Sequence, residues 1–146
     1  MAKEIERTFL VDDDSFREMS VFTVHILQGY LNRDPERTVR IRIRNDSAFL
    51  TVKGKTVGCE REEYEYEIPL EDGLQILKLC PGRILDKTRY IVPFEGYTWE
   101  VDEYHGDLQG LIVTEVEMKT PHDEVTLPPF AGKEVTGDPK YYNSQL

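Results

Sequence analysis

The stretch Glu4-Ile5-Glu6-Arg7-Thr8-Phe9-Leu10-Val11, close to the N-terminus, decides the fold of this chain. Successive side chains of a strand point to opposite faces, so Glu4, Glu6 and Thr8 share one face. The two carboxylates stand about 7 Å apart and repel each other unless a positive group lies between them. A single strand of this kind is also compatible with a solvated outer face, so the interpretation depends on the strands that follow.

Length and composition predict one charge-rich globular domain that spans residues 1–146. Of its residues 39% are hydrophobic and 32% are charged, which is typical of a folded domain with a full core. The net charge of −10 argues against binding to a nucleic-acid duplex, which needs a basic surface. The 28 acidic residues against 18 basic ones leave carboxylates available for divalent metals.

The cysteines and the N-terminus bear on location. Cys59 and Cys80 lack the spacing of a zinc site or a disulfide framework, so we expect reduced thiols and a cytoplasmic protein. The first residues are too polar for a signal peptide, and no apolar run approaches 18 residues. We therefore expect no membrane partner.

Short alternating segments separated by Gly, Pro, Asn or Asp recur along the chain and predict about eight strands. After the first strand they cover residues 21–31, 38–44, 48–53, 62–69, 83–92, 97–104 and 111–119. A short helix is expected after 12–15, an amphipathic helix at 70–79, and loops with short helices over 121–146. The predicted class is α+β but mainly β. It is either a closed antiparallel β-barrel or a strongly curved sheet, with helices packed outside.

The predicted strands carry charge on one face and apolar groups on the other, and the charges of each strand have a single sign. A solvated sheet face ordinarily mixes polar residues and avoids like charges side by side, so we expect the charged faces to converge in a lumen. The basic set is Arg40, Arg42, Arg44, Lys53, Lys87 and Arg89; the acidic set is Glu4, Glu6, Glu63, Glu65, Glu67, Glu100, Asp102, Glu115 and Glu117. These residues leave a net charge of −3, which two divalent cations would reverse to +1, attracting a polyanion. The apolar faces, with Trp99, Tyr64, Tyr66 and Tyr90, would form an outer core.

This combination of charges indicates phosphate chemistry. Oxygen ligands select hard cations such as Mg²⁺ or Mn²⁺, while arginine and lysine suit phosphate oxygens. A metal that bridges carboxylates and phosphate could activate a water for attack on phosphorus. No Walker A or GxGxxG sequence is present, which disfavours P-loop and Rossmann enzymes.

The same residues resemble a known family. The motifs are Glu4-x-Glu6, Arg40-x-Arg42, Lys53, Glu63-x-Glu65, Lys87-Thr88-Arg89-Tyr90, Glu100-x-Asp102 and Glu115-Val116-Glu117. In this order they resemble the CYTH, or triphosphate tunnel metalloenzyme, superfamily, and in particular its small bacterial members that act on inorganic tripolyphosphate. The resemblance implies an eight-stranded tunnel with a charged lumen, and metal-dependent hydrolysis of tripolyphosphate to pyrophosphate and orthophosphate. Class IV adenylyl cyclase and thiamine or nucleoside triphosphatase are the alternatives that the family offers.

The resemblance also implies roles for individual residues. Metal ligands would be Glu4, Glu6, Glu63, Glu65, Asp102, Glu115 and Glu117, holding Mg²⁺ or Mn²⁺. Substrate-binding residues would be Arg40, Arg42, Lys53, Lys87 and Arg89, with Thr8 beside them. Catalytic roles would fall to Glu4, Glu6, Lys53, Lys87 and Tyr30, the last of which can equally be an aromatic residue flanking a turn. The implied partner is a small triphosphate, and a homodimer is compatible with the family.

Two residues depart from the family pattern: Tyr142, where close relatives often carry a basic residue, and Thr8, which matters more. The family signature is Glu-x-Glu-x-Lys, and Thr8 stands at the lysine position. Threonine removes one positive charge and the long reach of lysine. The chain could therefore have an altered substrate preference or carry an engineered substitution. It could also be a weakly catalytic module that binds polyphosphate or nucleotide, or a structural β-domain whose charges face solvent.

Overall fold

A computed structural model describes residues 3–146 and contains nine strands, two α-helices and three single-turn 3-10 helices. The strands are β1 (Lys3–Val11), β2 (Phe22–Asn32), β3 (Arg37–Arg44), β4 (Ser47–Gly54), β5 (Glu60–Ile68), β6 (Leu85–Phe94), β7 (Tyr97–Tyr104), β8 (Ile112–Glu117) and β9 (Ala131–Glu134). The helices are α1 (Phe16–Met19) and α2 (Leu70–Leu79), and the 3-10 turns are Gly106–Leu108, Pro139–Tyr141 and Asn143–Gln145. Across residues 3–146, no helix combines the length and apolar character needed to span a membrane.

The first eight strands close into an antiparallel barrel. Neighbours follow the order β5-β4-β3-β2-β6-β7-β8-β1, and residues 3–5 of β1 close the ring by pairing with residues 60–62 of β5. The predicted closed barrel is therefore confirmed, and the strongly curved open sheet is wrong. Beyond residue 5 the same edge of β1 is free of β5, and β9 pairs there, opposing Glu134 to Phe9 and Ala131 to Val11.

Strand β9 corrects the prediction for the C-terminal tail. The predicted loops and short helices are present, but Ala131–Glu134 has none of the alternation that would predict a strand. It becomes one because β1 offers an unpaired edge there. Arg7 and Glu134 fasten the pairing through two hydrogen bonds of 2.9 and 2.7 Å between their side chains.

The main hydrophobic core lies between the outer face of the barrel and the segments that cover it. Phe9, Trp99, Val101 and Val116 project outward from β1, β7 and β8, and they are at most 1% exposed. Phe16 of α1 and Phe130 of the tail complete this cluster. Trp99 thus occupies the outer core, as predicted, and the interior of the barrel remains available for polar groups.

Helix α2 forms where predicted, but it packs differently. Three of the leucines that give the helix its apolar spacing, Leu70, Leu74 and Leu79, are 36%, 42% and 72% exposed. The helix instead contacts β3 and β4 through Gly73, where an added Cβ would lie only 2.4 Å from Ala48 Cβ. Two small residues therefore let the helix approach the sheet closely, and the leucines flank the contact.

The outer face of β5 is also exposed. Tyr64 and Tyr66 were expected in the outer core, and this expectation is wrong, because they are 43% and 63% exposed. Helix α2 packs against β2, β3 and β4 and does not extend over these two tyrosines.

Candidate functional site

The strand registers bring the charged faces together inside the barrel. Residues directly opposite in an antiparallel pair share a face, and Glu6 lies opposite Glu117. Glu115 lies opposite both Thr8 and Glu100. On the other wall, Lys53 lies opposite Glu63. The cavity between these strands has a volume of about 210 Å³.

Most of the residues predicted for the site line this cavity. They are Glu4, Glu6, Thr8, Tyr30, Arg40, Arg42, Lys53, Glu63, Glu65, Arg89, Glu100, Glu115 and Glu117. Lys87 and Asp102 lie behind the cavity wall, where Asp102 pairs with both Lys87 and Arg89. The structure does not bring Arg44 and Glu67 to the cavity, although both were expected in the lumen. They occupy the correct face but lie near the end of their strands, where both are exposed.

Carboxylates are crowded around β1 and β8. The pKa of Glu6 is raised well above its ordinary value by burial and by the nearby charges of Glu115 and Glu4. The pKa of Glu117 is raised by burial and by the charges of Glu4 and Glu63. In both cases burial is the larger cause, and the neighbouring carboxylates add to it more than Lys53 offsets it.

Two lumen cations are paired with carboxylates of the same cavity. Lys53 Nζ lies 3.0 and 3.1 Å from the two oxygens of Glu4 and 3.3 Å from Glu63 Oε2. Arg40 Nη2 lies 3.2 Å from Glu65 Oε2, and Thr51 Oγ1 donates to the same oxygen at 3.0 Å. A bound anion would have to compete with these ion pairs.

Behind the wall, one carboxylate serves two cations. Asp102 accepts two hydrogen bonds from Arg89 and lies 2.7 Å from Lys87 Nζ. Burial alone would raise the pKa of Asp102, but Arg89 and Lys87 outweigh it and hold this pKa well below the ordinary range. Burial lowers the pKa of Lys87 to about 7 against the attraction of Asp102, and Arg89 and Arg42 add to the lowering. Asn143 Oδ1, from the tail, accepts a hydrogen bond from Lys87 Nζ at 3.3 Å.

Arg42 has a different environment. Its Nε donates to the side-chain oxygen of Gln28 at 2.9 Å, and the amide nitrogen of Gln28 donates to the Tyr30 hydroxyl at 2.9 Å. Burial lowers the pKa of Arg42 to about 10, and the charges of Arg40 and Arg89 contribute. The guanidinium is thus oriented by a neutral amide while its positive charge is not neutralised.

Several polar residues of the site were assigned no role from the sequence, among them Gln28, Thr51, Arg61 and Asn143. Arg61 lines the cavity and has the same strand phase as Glu63, so extending the predicted strand by one residue would have included it. Gln28 lies on the same strand face as Tyr30, and Thr51 on the same face as Lys53. Because both residues are neutral, they did not contribute to the charge pattern from which the lumen was predicted. Asn143 lies in a segment without periodicity.

The donor set suits a hard divalent cation in chemical terms. The charged groups of the acidic wall are all carboxylates, and such oxygen ligands are preferred by Mg²⁺ and Mn²⁺. Among residues 3–146, however, no three carboxylate, imidazole or thiol side chains are already gathered into a metal site. Glu4 is turned to Lys53, while the raised pKa values of Glu6 and Glu117 mark negative charge that a cation would neutralise.

Comparison with known proteins agrees with this architecture. A family model described as the CYTH domain matches residues 2–142. An inorganic triphosphatase of Acetivibrio thermocellus is 44% identical over 147 residues, which are 100% of this chain and 94% of that protein. An inorganic triphosphatase of Nitrosomonas europaea is 34% identical over 148 residues, covering 98% of this chain and 95% of that protein. A solved structure described as an inorganic triphosphatase has a TM-score of 0.66 at 31% identity, covering 97% of this chain and 95% of that one.

Proposed function

Because the chain belongs to the CYTH domain family, we propose that it hydrolyses inorganic tripolyphosphate to pyrophosphate and orthophosphate with Mg²⁺ or Mn²⁺. The observation that carries this proposal is the division of the tunnel into an acidic wall and a basic wall. Carboxylates of β1 and β8 face the cavity from one side, and arginine and lysine of β3 and β4 face it from the other. A polyanion with bound divalent cations complements both walls.

The acidic wall would hold the metal. We assign this role to Glu4, Glu6, Glu115 and Glu117, with Glu63 and Glu65 on the neighbouring strand β5. When bound, a divalent cation would polarise the phosphoryl oxygens and lower the pKa of a coordinated water. Asp102, which the family resemblance adds to the metal ligands, already uses both oxygens for Arg89 and Lys87. We therefore assign Asp102 to orienting these two cations.

The basic wall would bind the phosphates. Arg40 and Arg42 present guanidinium groups that match the geometry of phosphate oxygens, and Lys53, Lys87 and Arg89 add positive charge. Arg42 is the most available of these residues for a phosphate, because Gln28 orients its guanidinium without neutralising the positive charge. Positive charge at this wall would stabilise the negative charge that develops on the leaving pyrophosphate. Tyr30 would act through Gln28 to align Arg42.

Thr8 lies opposite Glu115, among the carboxylates of the acidic wall. The absence of a cation at this position favours a second candidate, a module that binds polyphosphate with little catalysis. Both candidates predict binding of tripolyphosphate with metal, and only the first predicts turnover.

Phosphate release tests the proposal. The purified protein is incubated with tripolyphosphate, ATP, thiamine triphosphate or pyrophosphate, each with Mg²⁺ and with Mn²⁺. We expect orthophosphate from tripolyphosphate, and loss of this activity in Glu6→Gln, while the surface variant Glu124→Gln stays active. No release from a folded sample with either metal overturns the hydrolase. A rise in melting temperature with tripolyphosphate and metal would then support the binding module, and cyclic AMP formed from ATP would indicate a cyclase.

The proposal also covers the cellular location and the oligomeric state of the protein. Cys59 and Cys80 are both free thiols, which is typical of a reducing compartment, and we propose a cytoplasmic location. The homodimer stays a prediction from the family.

A further inference from the structure

The basic residues around the tunnel fall into two groups according to their partners. Four of them have a carboxylate oxygen within 4.0 Å: Arg40, Lys53, Lys87 and Arg89. Within residues 3–146, Arg42 and Arg61 line the cavity and have no ion pair. Arg42 already belongs to the proposed phosphate-binding residues, whereas nothing so far gives Arg61 a role.

Arg61 is held in place by neutral acceptors. Its Nε donates to the carbonyl oxygen of Gly54 at 3.0 Å, and its Nη2 donates to Thr38 Oγ1 at 3.3 Å. The residue is half-buried and lies opposite Glu4 where β5 closes on β1. These contacts fix the direction of the guanidinium, and within residues 3–146 it forms no direct ion pair, since Glu4 on the opposite strand is turned to Lys53.

Such a group is suited to bind an anion. A guanidinium has five N–H donors, and here a carbonyl and a hydroxyl use two of them. A half-buried charge without a counter-ion is costly, so an incoming phosphate would gain both the ion pair and the remaining donors. Prior orientation by neutral groups also reduces the entropy lost on binding.

Arg61 and Arg42 lie at different depths of the tunnel. Arg61 contacts Thr38, and Thr38 and Arg42 are four residues apart on β3, which corresponds to about 13 Å. A backbone separation of this size favours contacts of the two guanidiniums with different phosphates of an extended polyphosphate over contacts of both with one phosphate. We infer that Arg61 is a substrate-binding residue that contacts a terminal phosphate of the triphosphate. This inference rests on the proposed function, since it assumes that the tunnel binds a triphosphate.

The experiment compares Arg61→Gln, Arg61→Lys and the control Arg83→Gln. Arg83 is 41% exposed and lies outside the tunnel cavity. We expect Arg61→Gln to raise the KM for tripolyphosphate about tenfold or more, with a smaller fall in kcat, because a hydrogen-bonded ion pair to the substrate is lost. The rise in melting temperature caused by tripolyphosphate and Mg²⁺ should shrink in parallel. Arg83→Gln should match the wild type in both measurements.

Two outcomes overturn the inference. One is an Arg61→Gln protein that folds, with KM and the melting-temperature shift both within twofold of the wild type. If Arg61→Gln does not fold, the uncharged variant Arg61→Met, of similar length, replaces it under the same criterion. Arg61→Lys, which keeps the charge but loses the fork, should lie between Arg61→Gln and the wild type in both measurements. If the wild type releases no phosphate, the proposed hydrolase fails, yet the melting-temperature shift still tests whether Arg61 binds tripolyphosphate.

Discussion

Arg89 and Asp102 form a two-pronged ion pair across the β6–β7 pairing. Arg89 Nε and Nη2 lie 2.8 and 2.9 Å from the two oxygens of Asp102, and both side chains are at least nine-tenths buried. The same carboxylate lies 2.7 Å from Lys87 Nζ. Two buried cations of the basic wall therefore depend on a single anion.

Removal of Asp102 should destabilise the protein more than removal of any exposed carboxylate. Asp102→Ala leaves Lys87 and Arg89 buried without their counter-ion, which typically costs about 3–5 kcal/mol. Urea unfolding measures the loss. The control Asp107→Ala, at a side chain that is 85% exposed, should change stability by less than about 1 kcal/mol. Equal stability of the two variants would contradict the shared role of Asp102.

The acidic wall predicts an unusual pH dependence of the metal-free protein. Because the pKa of Glu6 is raised, the folded state holds a proton that the unfolded state has lost, so stability falls as pH rises from about 4.5. Glu6→Gln removes this penalty and should raise the melting temperature at pH 7 by about 3 °C or more. The matched variant Glu124→Gln should keep the wild-type pH profile. If Glu6→Gln and the wild type lose stability in parallel as the pH rises, the raised pKa of Glu6 is not the cause of the loss.

Divalent metal should stabilise the wild type more than Glu6→Gln, and so act against the difference expected without metal. A divalent cation neutralises the acidic wall of the wild type and stabilises the folded state by mass action. Glu6→Gln lacks one ligand, so its melting temperature should respond to Mg²⁺ or Mn²⁺ less than that of the wild type. Titration of both proteins at pH 7 measures the difference, and equal responses would remove Glu6 from the proposed ligand set.

A lysine at position 8 should strengthen substrate binding. Thr8 lies opposite Glu115 and lines the cavity, so the side chain in Thr8→Lys would place an ammonium among the carboxylates and within reach of bound phosphate. We expect the KM for tripolyphosphate to fall severalfold, and Thr8→Met, similar in length but uncharged, to leave it unchanged or higher. A large gain in kcat with an unchanged KM would instead show that the wild-type chain has lost catalysis.

The tail should contribute to the stability of the tunnel through one amide. Asn143 Oδ1 accepts hydrogen bonds from Lys87 Nζ and from the Tyr104 hydroxyl. Asn143→Leu leaves both buried donors without this partner, which should cost about 1–3 kcal/mol in urea unfolding. Gln145→Ala is the control in the same tail, because the exposed Gln145 side chain bonds to Arg33 O and Ser144 Oγ. Equal losses in the two variants would assign the effect to general packing of the tail.

Successive side chains of a strand alternate between its two faces, and this alternation explains why the residues of the tunnel walls were predictable. A residue pair such as Arg40 and Arg42, or Glu63 and Glu65, keeps its face whatever the neighbouring strands do. Period alone does not give depth, which is why Arg44 and Glu67 were expected inside and lie exposed near the end of their strands. Arg61 was missed because the predicted strand began one residue too late.

Contacts between distant segments were less predictable. The apolar spacing of residues 70–79 predicts the helix α2. It does not predict that Gly73 contacts the sheet, because this contact depends on the small Ala48 opposite it. Strand β9 exists because β1 has a free edge there, and its own four residues show no alternation. In both places the local structure depends on the strand that the segment contacts, and that strand lies far away in the sequence.

The position of β1 has a consequence for synthesis of the chain. β1 is made first, yet its partners are residues 60–62, strand β8 and strand β9. A growing chain can assemble the hairpins from β2 to β5 while β1 waits with the apolar Phe9 uncovered. The barrel can close only after β8, the last of its eight strands in the chain, has left the ribosome, so the tunnel forms only once all eight strands have been made.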